Sequence, residues 1–314
     1  MNNLEELLVR GDKRAIARAI TYAENYEEKA KEIIKKLYKR SGSAYIIGIT
    51  GPPGVGKSTL TDKLVKNLIE KGNKIGVIAI DPTSPFTGGS ILGDRIRMQD
   101  LSLHPNVYIR SMGTRGHLGG LSKGTYMATR ILDIAGMDYV FIETVGVGQS
   151  EIDIVKIADT VVMVLAPGLG DDVQAIKAGI MEIGEIFVVN KSDREGSDKT
   201  VVELNMMLDL DDTKDWRPPV VKTIAYENKG INELIDKIFA HREYLIASGN
   251  LEKKRNQRLR MEIIETVKNK LMNNVFEKIQ QKDFDFKLQE VIDKKIDPYT
   301  FADELYRDIF NKNL

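Results

Sequence analysis

The run Gly51-Pro52-Pro53-Gly54-Val55-Gly56-Lys57-Ser58, followed by Thr59, has the residue types and spacing to hold a chain of phosphates. A phosphate is cradled by backbone amides only if the backbone approaches it closely, and Gly54 and Gly56 allow this because they lack a Cβ. Lys57 offers an ammonium to the β- and γ-phosphates and Ser58 a hydroxyl to Mg2+. Far downstream, Asn190-Lys191-Ser192-Asp193 has the form N-K-x-D. An aspartate here accepts from the N1–H and the exocyclic amine of guanine together, an arrangement of donors that adenine lacks. The Lys191 stem lies along the base plane and Asn190 braces the loop. The pair of motifs therefore selects GTP over ATP on chemical grounds.

Further candidates follow apolar runs. Asp81 and Glu143 each close one, where a Mg2+-organising carboxylate belongs, and Asp94 is placed to approach the same ion from the intervening loop. That loop, Asp81 to Met98, reads either as an irregular surface turn or as a nucleotide-sensing switch whose arginines, Arg97 among them, meet phosphate charge. The switch is the preferred reading. Gly146 is placed to donate its amide to the γ-phosphate, and Gln149 to orient the attacking water, although its spacing differs from that of Ras. Arg115 and His117, in a second glycine-rich loop, are candidates for phosphate or partner contact. Asp171, Asp172, Gln174 and Lys177 follow Gly-Leu-Gly and form either a loop and helix cap or a third mobile element. At Ile224-Ala225-Tyr226, Ile224 replaces the serine common in GTPases, and backbone contact to the guanine oxygen can survive that change.

These residues need a scaffold that brings loop ends together. Apolar runs at 45–49, 75–80, 107–109, 139–142, 161–165, 186–189 and 220–224 alternate with helix-like stretches. This predicts an α/β fold, a mostly parallel sheet with helices on both faces, with ligands at the carboxyl ends of the strands. After the phosphate loop, Leu60, Leu64, Val65 and Leu68 have helical spacing. Residues 1–43 read as a helical preface, with stripes at Leu4, Leu7, Leu8 and at Ile16, Ala19, Ile20, Ala23 and a break near Gly11-Asp12. Residues 44–248 form the nucleotide domain. Residues 249–314 form a helical arm: Leu259, Ile263, Val267, Leu271 and Val275 line one long amphipathic helix, and Asp297-Pro298 opens a last helix to about residue 310.

The chain of 314 residues balances 46 basic against 46 acidic side chains, so no global field favours nucleic acid or a membrane surface. It contains no cysteine, which excludes disulfides and thiolate metal sites, and its 3 histidines are scattered. No apolar run approaches the roughly 18 residues that span a bilayer, and the N-terminal segment, which has no apolar core region and carries Glu5 and Glu6, does not resemble a secretory or organelle-targeting peptide. The expected location is the cytoplasm.

Taken in order, GPPGVGKST, DPTSPFTGGSILGDRIRM, RGHLGG, ETVGVGQSE and NKSD closely resemble the MeaB/ArgK group, the G-protein chaperones of adenosylcobalamin-dependent methylmalonyl-CoA mutase. The resemblance covers nearly the whole chain, and the second block is far more specific than the phosphate loop. It implies a Mg2+-dependent P-loop GTPase, homodimeric through its C-terminal helices, whose hydrolysis gates cobalamin loading and protection of a mutase. It also implies that Asp81, Asp94 and Glu143 organise Mg2+ and that Asp171 to Lys177 form a third switch toward the partner. Older naming in the group speaks of amino-acid transport ATPases or kinases, against which N-K-x-D argues. A nickel-enzyme maturation GTPase is a second alternative, disfavoured by the absence of cysteine and of a histidine-rich tract; a non-hydrolysing nucleotide-gated adaptor is a third.

Overall fold

The computed structural model describes residues 2–81, 98–113, 121–144, 146, 153–168, 180–210, 215–279 and 282–310. Within them, the chain divides into two units, Met1–Glu252 and Lys253–Leu314.

The first unit is built on seven parallel strands: β1 Tyr45–Thr50, β2 Ile75–Asp81, β3 Val107–Gly113, β4 Tyr139–Glu143, β5 Thr160–Leu165, β6 Ile186–Val189 and β7 Val220–Lys222. Their order across the sheet is β3-β2-β4-β1-β5-β6-β7, so the first strand lies at the centre. The apolar runs are nearly continuous because both faces are covered, as parallel sheets require. Alternate residues go to opposite sides. Tyr45, Ile47, Ile49, Tyr139 and Phe141 face one core with Leu60, Leu64, Val65 and Leu68 of α4 (Lys57–Glu70) and Leu234, Ile235 and Ile238 of α9 (Ile231–Ala247). Ile78, Ile80, Val140 and Ile142 face the other.

That second core is covered by α1 (Asn2–Val9), α2 (Lys13–Asn25), α3 (Glu27–Leu37) and α6 (Lys123–Ile134). The N-terminal helices are thus part of the sheet's own layering: Ile16, Ala19 and Ile20 are fully buried. The break at Gly11-Asp12 is a helix boundary, with Asp12 Oδ1 capping α2 by accepting from Ala15 N at 2.8 Å. Residues 41–43 are tied to α6, since Asp133 accepts the amides of Gly42, Ser43 and Ala44. A short α5 (Gln99–Leu103) precedes β3, a one-turn α7 (Ile180–Ile183) precedes β6, and α8 (Ser197–Leu208) packs Leu204 and Leu208 on Phe187 and Val189.

The long helix α10 (Asn250–Ile279) begins in the first unit and continues in the second, where α11 (Lys282–Ile292) and α12 (Pro298–Phe310) follow. Asp297 caps α12, its Oδ1 accepting from Tyr299 N and Thr300 N at 2.9 and 3.0 Å. Phe284 and Phe301 join α11 to α12 with ring centroids 5.2 Å apart. Met261, Ile264, Val267 and Phe276 of α10 are each more than half exposed. No helix among the described residues is long and apolar enough to cross a membrane.

Candidate functional site

The loop after β1 turns sharply into α4. Gly51 takes φ 136°, and a Cβ there would lie 2.0 Å from the Val164 carbonyl oxygen of β5. Gly56 takes φ 96°, and a Cβ there would meet Asn190 Nδ2 at 2.5 Å. A side chain at either position would therefore collide with its neighbour in a backbone region that L-residues rarely adopt. The loop leads into the N-terminus of α4 at Lys57, where the first-turn amides and the helix dipole favour an anion. Lys57 is buried, and its Nζ donates to the carbonyls of Gly51 and Pro52 at 2.7 and 2.9 Å. The ammonium is thus held over the loop that it would serve.

Two acids end neighbouring strands beneath this loop. Glu143 lies level with Ile49 of β1 and Ala79 of β2, and Asp81 closes β2 one pleat farther on. Both are buried. Glu143 Oε1 accepts from Ser58 Oγ at 2.6 Å, and its Oε2 is 2.9 Å from Thr61 Oγ1. Thr61 is one helical turn beyond Lys57, whose carbonyl its hydroxyl also meets at 3.0 Å. The donor set is all oxygen, two carboxylates and a hydroxyl at a helix start, which suits a hard divalent cation such as Mg2+. Gly146 follows with φ 91°; a Cβ there would lie 2.4 Å from Lys57 Nζ and 2.6 Å from the Gly51 carbonyl.

The base-recognition motif lies at the end of β6, beside the phosphate loop. Asn190 Nδ2 donates to the Val55 carbonyl at 2.8 Å, while its Oδ1 accepts from Thr223 Oγ1 at 3.0 Å and from Ala225 N at 3.1 Å. One buried amide therefore joins three loops. Lys191 adopts φ 56° and extends its Nζ to the Gly54 carbonyl at 2.6 Å, across the phosphate loop. Ser192 Oγ donates to the Thr223 carbonyl at 2.9 Å. Ile224 forms a bridge with Lys229 through its backbone, and the amide of Ala225 is directed to Asn190. The phenol of Tyr226 donates to Asp193 Oδ2 at 3.3 Å.

Lys57, Ser58, Asp81, Glu143 and Gly146 are thus gathered at one end of the sheet, with the Asn190–Asp193 loop next to them. Asp94, Arg97, Arg115, His117, Gln149, Asp171, Asp172, Gln174 and Lys177 lie outside the described residues. Two contributors were not apparent in the sequence. Thr61 falls on the apolar stripe of α4, and only its polarity in that stripe hinted at a buried acceptor. Thr223 occupies a position where the motif specifies nothing.

An all-parallel sheet with β1 at its centre, this phosphate loop and N-K-x-D together define a P-loop GTPase. The chain belongs to the family of methylmalonyl Co-A mutase-associated GTPases MeaB, whose model matches residues 16–280. It is 56% identical over 318 residues to a protein of Pyrococcus abyssi named as a GTPase, covering 100% of this chain and 98% of that one. It is 38% identical over 251 residues to the mitochondrial methylmalonic aciduria type A homolog of Caenorhabditis elegans, covering 77% of this chain and 62% of the relative. Among solved structures, a LAO/AO transport system kinase superposes with a TM-score of 0.73 at 26% identity, covering 98% of this chain and 97% of its own.

Proposed function

We propose that this GTPase is a nucleotide-driven chaperone of an adenosylcobalamin-dependent mutase of the methylmalonyl-CoA type, gating the loading and protection of its cofactor. The family description and the C. elegans relative supply the partner class. The observation that carries the nucleotide half is the Asn190 amide, which ties the Val55 carbonyl of the phosphate loop to Thr223 and Ala225 beside the base. Through it, phosphate and guanine occupancy act on one framework.

In this reading GTP lies with its phosphates along residues 51–59 and its base against Lys191 and Asp193. Lys57 exchanges the carbonyls of Gly51 and Pro52 for phosphate oxygens. Ser58, Asp81 and Glu143 would hold Mg2+, with Asp94 assigned to the same ion, and the ion would supply positive charge to the phosphates. Glu143 aligns the Ser58 hydroxyl for that role and is itself aligned by Thr61. Gly146, whose backbone lies beside Lys57 and Gly51, is assigned to donate its amide to the γ-phosphate. Phosphoryl transfer needs little covalent chemistry, so charge stabilisation and placement of water by these groups carry the rate. Arg97 and Gln149 are assigned to phosphate charge and the attacking water, and residues 171–177 to partner contact.

The arm beyond residue 249 is assigned to homodimerisation. The exposed apolar side chains of α10, among them Met261, Ile264, Val267 and Phe276, support packing against a second copy of the same helix. The test is gel filtration of the full chain with a methylmalonyl-CoA mutase, in GDP and in a non-hydrolysable GTP analogue. The expected result is co-elution whose extent depends on the nucleotide. Separate elution in both states would remove the chaperone assignment.

A further inference from the structure

The guanine end of the site carries a phenol that the base-recognition motif does not require. Tyr226 lies in a one-turn 3-10 helix, Ala225–Glu227. The turn is fixed on one side by the bond from Ala225 N to Asn190, and on the other by Asn228 at φ 59° and the Ile224–Lys229 bridge. The ring itself is 60% exposed, so packing does not hold it. Its hydroxyl donates its one proton to Asp193 Oδ2 at 3.3 Å, and the Glu227 carboxylate, paired with Lys229 Nζ at 2.6 Å, is a rival acceptor beside it. The Glu227 carboxylate beside the hydroxyl, with the charge of Asp193 adding to it, pushes the phenol up to about 12. Tyr226 therefore remains a donor at neutral pH.

Guanine needs both oxygens of the Asp193 carboxylate, one for N1–H and one for the exocyclic amine. In the structure a phenol already occupies one of them. Its bond is longer than the ~2.7–2.8 Å usual for a hydroxyl donor, and the exposed ring is free to swing away. We infer that Tyr226 substitutes for the guanine edge at Asp193 when the base is absent, and by competing with it sets guanine-nucleotide affinity and speeds release. The inference rests on the reading that Asp193 recognises guanine. Affinity is a difference between bound and empty states. A donor that satisfies Asp193 in the empty state therefore lowers it, and a donor poised beside the carboxylate takes over as the base departs.

The test compares the full-length protein with Tyr226→Phe, Asp193→Asn and the double variant. GDP, IDP and ADP affinities are measured by calorimetry, and GDP release is followed by chase of a fluorescent GDP. Phe keeps the ring and the turn, and melting temperature checks the fold. Tyr226→Phe is expected to bind GDP about 2- to 10-fold more tightly, the scale of one net hydrogen bond, and to release it correspondingly more slowly. The gain should be smaller with IDP, which lacks the exocyclic amine and leaves one oxygen of Asp193 to the phenol. It should vanish in the Asp193→Asn background. If Asp193→Asn prefers GDP over ADP as the parent does, the underlying assignment of Asp193 fails, and the inference with it. If Asp193→Asn loses that preference while Tyr226→Phe binds GDP as the parent does, or more weakly, only the role of Tyr226 is overturned.

Discussion

Glu143 receives the hydroxyl of Thr61 at 2.9 Å on one oxygen while its other oxygen holds Ser58 at 2.6 Å. The carboxylate that faces the phosphate site is thus oriented from below by a residue of α4 that no motif names. Thr61→Val keeps shape and volume but leaves that buried oxygen short of a donor, a cost of about 1–3 kcal/mol. A lower melting temperature and a raised Mg2+ requirement are expected. Glu143→Gln should raise the Mg2+ concentration for half-maximal GTP hydrolysis by about 10- to 100-fold, and removal of Mg2+ with EDTA should abolish turnover in the parent. A Mg2+ titration of hydrolysis checks both; unchanged half-saturation in Glu143→Gln would remove this acid from the metal site.

Gly146 approaches Lys57 so closely that a methyl group there would lie 2.4 Å from the ammonium. Gly146→Ala is therefore expected to displace Lys57 or the loop, and its φ of 91° adds backbone strain. Steady-state GTP hydrolysis should fall at least about 10-fold, a loss of ~1.4 kcal/mol, while GDP binding changes less, because GDP lacks the γ-phosphate. Equal losses in both measurements would place the defect in the fold.

Asn190 satisfies the Val55 carbonyl and the Ala225 amide at once. Asn190→Ala leaves both buried groups without this partner, at about 1–3 kcal/mol each before relaxation. The protein should melt earlier and bind GDP more weakly. Thr223→Val, which removes a single donor to the same amide, should show the smaller effect in both measurements. A GDP affinity unaffected by Asn190→Ala would contradict the coupling of the phosphate and base loops.

Alkaline stability depends in part on Tyr45. Its hydroxyl is buried against Thr160 Oγ1 at 2.5 Å, and Thr160 in turn meets His241 Nδ1 at 2.7 Å. Burial raises the phenol well above its ordinary value. The folded protein keeps this proton at a pH where the unfolded chain loses it. The stability that results is complete below about pH 10 and declines as pH rises from there toward the folded value. Tyr45→Phe should flatten the fall of melting temperature above about pH 10. Parallel curves for parent and variant would show that this phenol does not contribute.

The strands were legible because a parallel sheet covered on both faces writes itself as unbroken apolar runs, as at 161–165. β3 was visible only as 107–109, yet it continues to Gly113, because Arg110 interrupts the run. Arg110 is accommodated by an ion pair with Glu24 of α2, a partner far away in sequence. β7 ends at Lys222 rather than residue 224, where Thr223 turns in to serve Asn190. The phosphate and base loops were legible because backbone approach and guanine recognition each require particular residue types at fixed spacing. Thr61 and Thr223 were not, because a hydroxyl that supports another side chain needs only the right place in three dimensions.

GTP hydrolysis on this chain is proposed to serve a cobalamin-dependent mutase. The most direct test of that role is the GTP turnover rate measured alone and with a methylmalonyl-CoA mutase. Slow turnover that the mutase stimulates is expected, with Lys57→Ala silent in both conditions. A rate indifferent to the mutase at saturating concentration, with no complex formed, would contradict it.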